Sequence, residues 1–230
     1  GSTPNCVAMS PYKFNGPGGS GPSDWVHVVP MPDAYRGMHR GDDAGAAYAL
    51  DAADVLGTAT RNGRTIAGFF AESMLSCGGQ IPLPPDYLRC AVEHVHRAGG
   101  LYIADEVQVG FGRMGSCFWG FEQHEVVPDI VVLGKPIANG HPMGAVVTTG
   151  DIAAANARRL ADDRAESART VRRDETTGAS TTAGAAPSST CALVPERPNE
   201  LTPINDRSSP DHAVASVGIA TPEPSSWIRG

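Results

Sequence analysis

An α/β fold, with a mostly parallel sheet and flanking helices, is what this sequence predicts for residues 1–155, on three observations. LYIADEV (Leu101–Val107) and DIVVLG (Asp129–Gly134) are short, nearly unbroken apolar runs, the pattern of strands buried on both faces. A third run, TIAGFFA (Thr65–Ala71), precedes an amphipathic helical segment that leads into the first of them. Strand, helix and strand in that order predict parallel pairing through a right-handed crossover. In open sheets of this kind ligands bind beyond the carboxyl ends of the strands. Each run ends in a group suited to chemistry: Glu72, then Asp105 with Gln108, then Lys135.

The elements follow in order. Gly1–Gly21 is rich in Gly, Pro and Ser around SPYKF and reads as loop. WVHVV (Trp25–Val29) alternates enough for a short strand, and PMPDAYRG after it is a turn-rich connection. Asp42 or Asp43 is placed to cap a helix over Ala44–Thr60, which Asn62-Gly63 stops. GGQIPLPP reads as loop. Asp86–Ala98 reads as a helix with Leu88, Ala91, Val92, Val95 and Ala98 on one stripe, ended by Gly99-Gly100. GAVVTT (Gly144–Thr149) is a further strand. From residue 156 the character changes. Arg158–Arg173 is charged with little apolar face, and Trp227 is the only aromatic after residue 150. Such a stretch buries too little apolar area to offset its ordering entropy. Residues 156–230 are therefore expected to be a low-complexity, disordered tail.

Composition excludes several classes. With 41% hydrophobic residues the chain can build a sizeable core. A net charge of −7 argues against a nucleic-acid or anionic-membrane binder. No apolar run approaches a membrane span and no signal peptide opens the chain. Five scattered cysteines without a CxxC pair indicate neither a disulfide framework nor a zinc site, so a cytoplasmic setting and no metal are expected.

The lysines are informative. There are only two, Lys13 and Lys135. One kept at the end of an apolar strand is not there for solubility. Taken singly, Asp105 and Lys135 read as a structural ion pair, Glu72 as a strand-end carboxylate, Arg113 as an arginine of a Gly-rich turn and His141 as a turn histidine. Two other patterns invite function. Gly110, Gly112 and Gly115 spell GxGxxG after a strand, suggesting a dinucleotide-binding oxidoreductase. That motif must open a helix, and SCFWGF lacks helical periodicity. Cys90, His94 and His96 suggest a metal, but residues two apart on a helix point away from one another.

YIADEVQVGFGRMG followed by PDIVVLGKPIANGHP resembles the cofactor signature of the class-III aminotransferases. SPYKF, WVHVVPMPDAYRG and FFAESMLSCGGQIPLP are similar to the subgroup of phospho-lyases acting on phosphoethanolamine or phosphohydroxylysine. The resemblance covers residues 1–155. It implies the large domain of the fold-type-I pyridoxal-phosphate transferases, a homodimer, and a small amine or amino acid as substrate, phosphorylated amines included. It implies transaminase or phospho-lyase chemistry through an imine between pyridoxal 5'-phosphate and Lys135, which then also moves the proton. Asp105 would lie beside the pyridine nitrogen, and Val107 and Gln108 against the ring face and the phenolic oxygen. Glu72 would be a nearby acid, and Arg113 and His141 would meet substrate anions. Departures are also plain. Pro136 replaces the usual small residue and biases Lys135 toward extended backbone. A Gly/Ser-rich phosphate loop, an FNTFGG-like run with its threonine, and a smaller C-terminal domain are not visible. An incomplete large domain over residues 1–155 is the expectation, and a catalytically inactive fragment is the alternative to an enzyme.

Overall fold

The computed structural model describes residues 3–177 and 218–220. They fall in two compact units, residues 3–147 with 218–220 and residues 148–177.

Two short helices open the first unit where loop is expected, α1 (Pro4–Met9) and α2 (Pro11–Phe14). Each has proline in its first turn, where the missing N–H costs no helical bond. Strand β1 (Val26–Val28) follows, then helix α3 (Ala44–Arg61). Asp43 stands at the N-cap of α3, but its side chain caps no backbone N–H. Strand β2 (Gly68–Glu72) forms from the third apolar run, displaced toward Glu72. A hairpin of β3 (Met74–Leu75) and β4 (Ile81–Pro82) replaces the expected loop. Helix α4 (Tyr87–Arg97) leads into β5 (Leu101–Asp105), and β6 (Ile130–Leu133) and β7 (Ala145–Thr148) complete the predicted strands.

Strand β2 pairs parallel with β5, from Gly68 opposite Leu101 to Glu72 opposite Asp105. Strand β5 pairs parallel with β6, from Ile103 opposite Ile130 to Asp105 opposite Val132. The full order is β1-β8-β2-β5-β6-β7, in which β8 (Gly218–Ala220) runs antiparallel to both neighbours. That strand lies inside the expected tail; three residues are too few to show a period.

The core lies between the strands and the paired helices. Tyr48, Ala52 and Leu56 of α3 meet Tyr87, Leu88, Ala91 and Val95 of α4 above Phe69 and Tyr102 of the sheet, all of them buried. The α4 stripe therefore faces inward as its spacing predicts. Ala98 is the exception: it is exposed, because the helix has already reached its cap there.

In the second unit, helix α5 spans Gly150–Thr177, so residues 156–177 are helical where a disordered tail is expected. No residue from Gly150 to Glu166 is buried. Support is local: alanine and arginine are strong helix formers, and Arg159 Nε donates to Asp163 Oδ1 at 2.9 Å one turn on. Residues 178–217 and 221–230, the rest of the expected tail, lie outside the described residues.

A close approach fixes how α3 meets the entry to α4. A Cβ on Gly45 would lie 1.7 Å from the carbonyl oxygen of Pro85. That neighbour is backbone and cannot swing aside. Gly45→Ala is expected to destabilise the chain by about 1–3 kcal/mol despite alanine's better helix propensity. Urea unfolding reads this directly; an unchanged or raised midpoint would show that the helices can separate at no cost.

Candidate functional site

The parallel register gathers the predicted groups. Glu72 and Asp105 end neighbouring strands opposite one another, and Asp105 stands opposite Val132, three residues before Lys135. Two carboxyl groups and one ammonium therefore leave the sheet at one edge, and Lys135 pulls on both acids electrostatically.

Both acids are dominated by burial. Glu72 is pushed up to about 7, against the opposing pull of its hydrogen bond from the Ser76 backbone N–H. Asp105 raises it further and Lys135 lowers it. Asp105 is itself held above the usual carboxylate range by burial, offset by the Val107 N–H donating to Oδ1 at 3.0 Å and by Lys135. One cation cannot compensate two desolvated carboxylates, so this edge favours retention of a proton.

Val107 and Gln108 follow directly. A Cβ added to Gly134 would lie 3.3 Å from Val107 Cγ1, so Val107 packs against the backbone just before the lysine. Gln108 Nε2 donates to Cys77 Sγ at 3.3 Å. Lys135 is exposed and opens a 3-10 turn over Lys135–Ala138. Its φ is +44°, left-handed rather than the extended backbone expected before proline. Pro136 excludes the right-handed region, but the chain must turn off the strand within one residue, and it does so through the left-handed region at a cost of about 1–3 kcal/mol.

The other candidates separate. Arg113 is on the exposed glycine loop after β5, beside a cavity that Gln108 also lines. His141 is exposed in the turn after Gly140. The GxGxxG stretch opens no α-helix; it runs through turns into a 3-10 turn at Gly120–His124. His94 contacts Arg97, whereas His96 contacts Asp129.

Three residues escape sequence reading. Glu106 is fully buried. Its carboxylate accepts from Ser73 Oγ at 2.7 Å, the Gly120 N–H at 2.7 Å and the Phe121 N–H at 3.1 Å. His124 Nε2 donates to the Ser73 carbonyl at 2.7 Å, and burial lowers its pKa, which keeps it neutral. Glu106 thereby ties the strand ends to the far side of the glycine loop. The only sequence signal is a second acid directly after Asp105. Tyr12, within the supposed opening loop, is 46% exposed, yet partial desolvation and then the nearby Cys77 and Glu72 push its hydroxyl up to about 12.

Residues 1–160 match the family described as Aminotransferase class-III. An alanine–glyoxylate aminotransferase 2-like protein of Drosophila melanogaster is 49% identical over 160 residues, covering 67% of this chain and 32% of that protein. An ethanolamine-phosphate phospho-lyase homolog of Caenorhabditis elegans is 40% identical, covering 66% of this chain and 36% of the relative. Among solved structures, a phospholyase from Arthrobacter in complex with phosphoethanolamine superposes with a TM-score of 0.61 at 31% identity, over 69% of this chain and 37% of that one. The chain thus spans about a third of the length of these relatives.

Two outcomes test the site's physics. Folded, Glu72 keeps its proton to about pH 7; unfolded, it gives it up near 4.5. The folded state therefore binds more protons in that window, and stability falls as pH rises through it. Wild type is expected to lose roughly 2–3 kcal/mol more than Glu72→Gln between about pH 4.5 and 7 in urea unfolding. Parallel losses would refute the burial of this acid. Glu106→Ala strands a hydroxyl and two amide donors and is expected to cost about 3–5 kcal/mol in the same assay. A loss below about 1 kcal/mol would mean that water replaces the carboxylate.

Proposed function

The chain belongs to the class-III aminotransferase family, and from that premise we propose pyridoxal-phosphate chemistry on a small amine, with Lys135 as the residue that bonds the cofactor. The observation that carries the reading is the meeting of Lys135, Asp105 and Glu72 at one sheet edge, with Val107 and Gln108 directly behind them.

The donor set fits such a cofactor. Lys135 offers an exposed amine for its aldehyde carbon. Asp105 offers a carboxyl whose ionisation burial opposes and any cation restores, which suits a protonated ring nitrogen. The Val107 side chain, packed on Gly134, offers an apolar surface for the ring, and Gln108 a carboxamide for its phenolic oxygen. Bound there, pyridoxal phosphate would supply an electron sink for a substrate amine attached through the aldehyde carbon.

The remaining work belongs to the side chains. Asp105 would hold positive charge on the ring nitrogen. Lys135, a flexible amine beside two acids, would carry a proton to and from the substrate carbon. Glu72, protonated near neutrality, keeps a second negative charge from building up beside Asp105. The substrate class is a small amine or amino acid, with phosphorylated amines the first to assay, because one similar structure holds phosphoethanolamine. Pairing of two copies is proposed with it, as is a reducing compartment, since Cys6, Cys77, Cys90 and Cys117 are free thiols.

Borohydride reduction of the chain with pyridoxal phosphate, followed by peptide mass spectrometry, tests the assignment. A phosphopyridoxyl adduct on Lys135, lost in Lys135→Ala, is expected. An adduct on Lys13 instead, or none on either lysine, would overturn it.

A further inference from the structure

One strand of the sheet comes from the far end of the chain. Strand β8 lies between β1 and β2 and runs antiparallel to both. Ala220 stands opposite Val26 on one side and Gly68 on the other, Ile219 opposite His27 and Phe69, and Gly218 opposite Val28 and Phe70. Strand β1 ends the sheet and, among the described residues, pairs with no other strand. Three residues therefore carry the whole ladder between β1 and the parallel strands.

Each wall of this slot has a support of its own. Strand β2 is paired on its other side with β5, and β1 lies against α3 with Val26 buried. Without β8, the facing edges of β1 and β2 would hold backbone N–H and C=O groups with no ladder partner. That is the condition under which a sheet takes up an extended segment.

The donor segment suits exchange. Residues 213–221, AVASVGIAT, are uncharged and free of proline, with Val214, Val217 and Ile219 as strand formers. Asp211 precedes the run, and Pro222 and Glu223 follow it. Recognition of so short a strand rests on backbone hydrogen bonds, which any copy of the segment offers equally. What the chain's own copy adds is the tether. Closure entropy grows with the length of chain between paired segments, and most of the sequence separates β8 from β1. The tether is then worth at most about a millimolar effective concentration.

We propose that the slot between β1 and β2 is a strand acceptor whose occupant is exchanged between copies of this chain, Gly218–Ala220 of one copy seating in the slot of a second. Reciprocal exchange joins two copies through an identical element. The inference is independent of the reading of Lys135, which follows β6 on the far side of β5 from the slot.

Cysteine trapping reads the exchange. Opposite residues of an antiparallel pair have Cβ atoms about 5 Å apart, so a small backbone adjustment lets two cysteines bond. The full chain carrying both His27→Cys and Ile219→Cys should form the 27–219 link within one chain on oxidation, mapped by peptide mass spectrometry. Full chains carrying one substitution each, mixed in equal amounts, should form the same link between chains, at a rate rising about tenfold for a tenfold rise in chain concentration. A link in the double variant with none in the mixture overturns exchange; none in either overturns the slot. Wild type supplies a reading that needs no variant. A synthetic peptide of residues 213–222 with a benzophenone side chain at position 219, in excess at about millimolar concentration, should photocrosslink to Val26–Val28 or Gly68–Phe70. Crosslinks only elsewhere, or none, overturn the proposal even where the cysteine variants fail to fold.

Discussion

The ladder between β2, β5 and β6 is the constraint on which the site depends. Side chains alternate between the faces of a strand, so a slip of one residue in either pairing would turn Glu72 or Asp105 to the opposite face. With Gly68 opposite Leu101 and Ile103 opposite Ile130, both carboxyl groups and the lysine after β6 share one environment. Neither acid was selected by local conformation. Each is simply the residue at which an apolar run stops, and the backbone hydrogen bonds bring those stops level. Burial then outweighs the single ammonium, which is why Glu72 titrates near neutrality rather than as an ordinary carboxylate.

Glu106 makes that edge rigid. The residue after Asp105 points the other way, as alternation requires, and meets the backbone of the 3-10 turn instead of solvent. Its N–H donates to the Val132 carbonyl at 3.0 Å and its carbonyl accepts from the Gly110 N–H at 3.0 Å. One residue thus holds β6, the start of the glycine loop and the end of that loop. The arrangement resolves a conflict, because the glycines that let the loop turn also leave it loose. A buried carboxylate with three donors restores the order that glycine gives up.

How much of this is legible in the sequence differs between elements for physical reasons. Strands β5 and β6 and helix α4 are long and periodic, so their burial is written in their composition. Asp105, Gln108 and Lys135 could be found because they end those runs. The β3–β4 hairpin has two residues per strand, below any usable period. Glu106 could not be told from an exposed residue, because burial of a polar group is decided by distant segments that supply its partners or cover it. The left-handed Lys135 departs from the extended backbone that a following proline favours, because the turn off β6 must be made within one residue. The helical stretch beyond residue 155 has no apolar face, and its helicity rests on what alanine-rich, charge-paired sequence does locally.

Helix α5 has a consequence for how this molecule melts. At 1.5 Å per residue its 28 residues extend about 42 Å, yet the stretch with described side chains, Gly150–Glu166, contributes nothing to a buried core. A helix held by propensity and adjacent-turn pairs unwinds gradually from its ends, whereas a sheet with a shared core is lost all at once. Circular dichroism at 222 nm would therefore mix a sloping helix–coil process with a cooperative one. No single midpoint in that signal describes such a chain, and a heat-capacity peak would report only the part that carries the core.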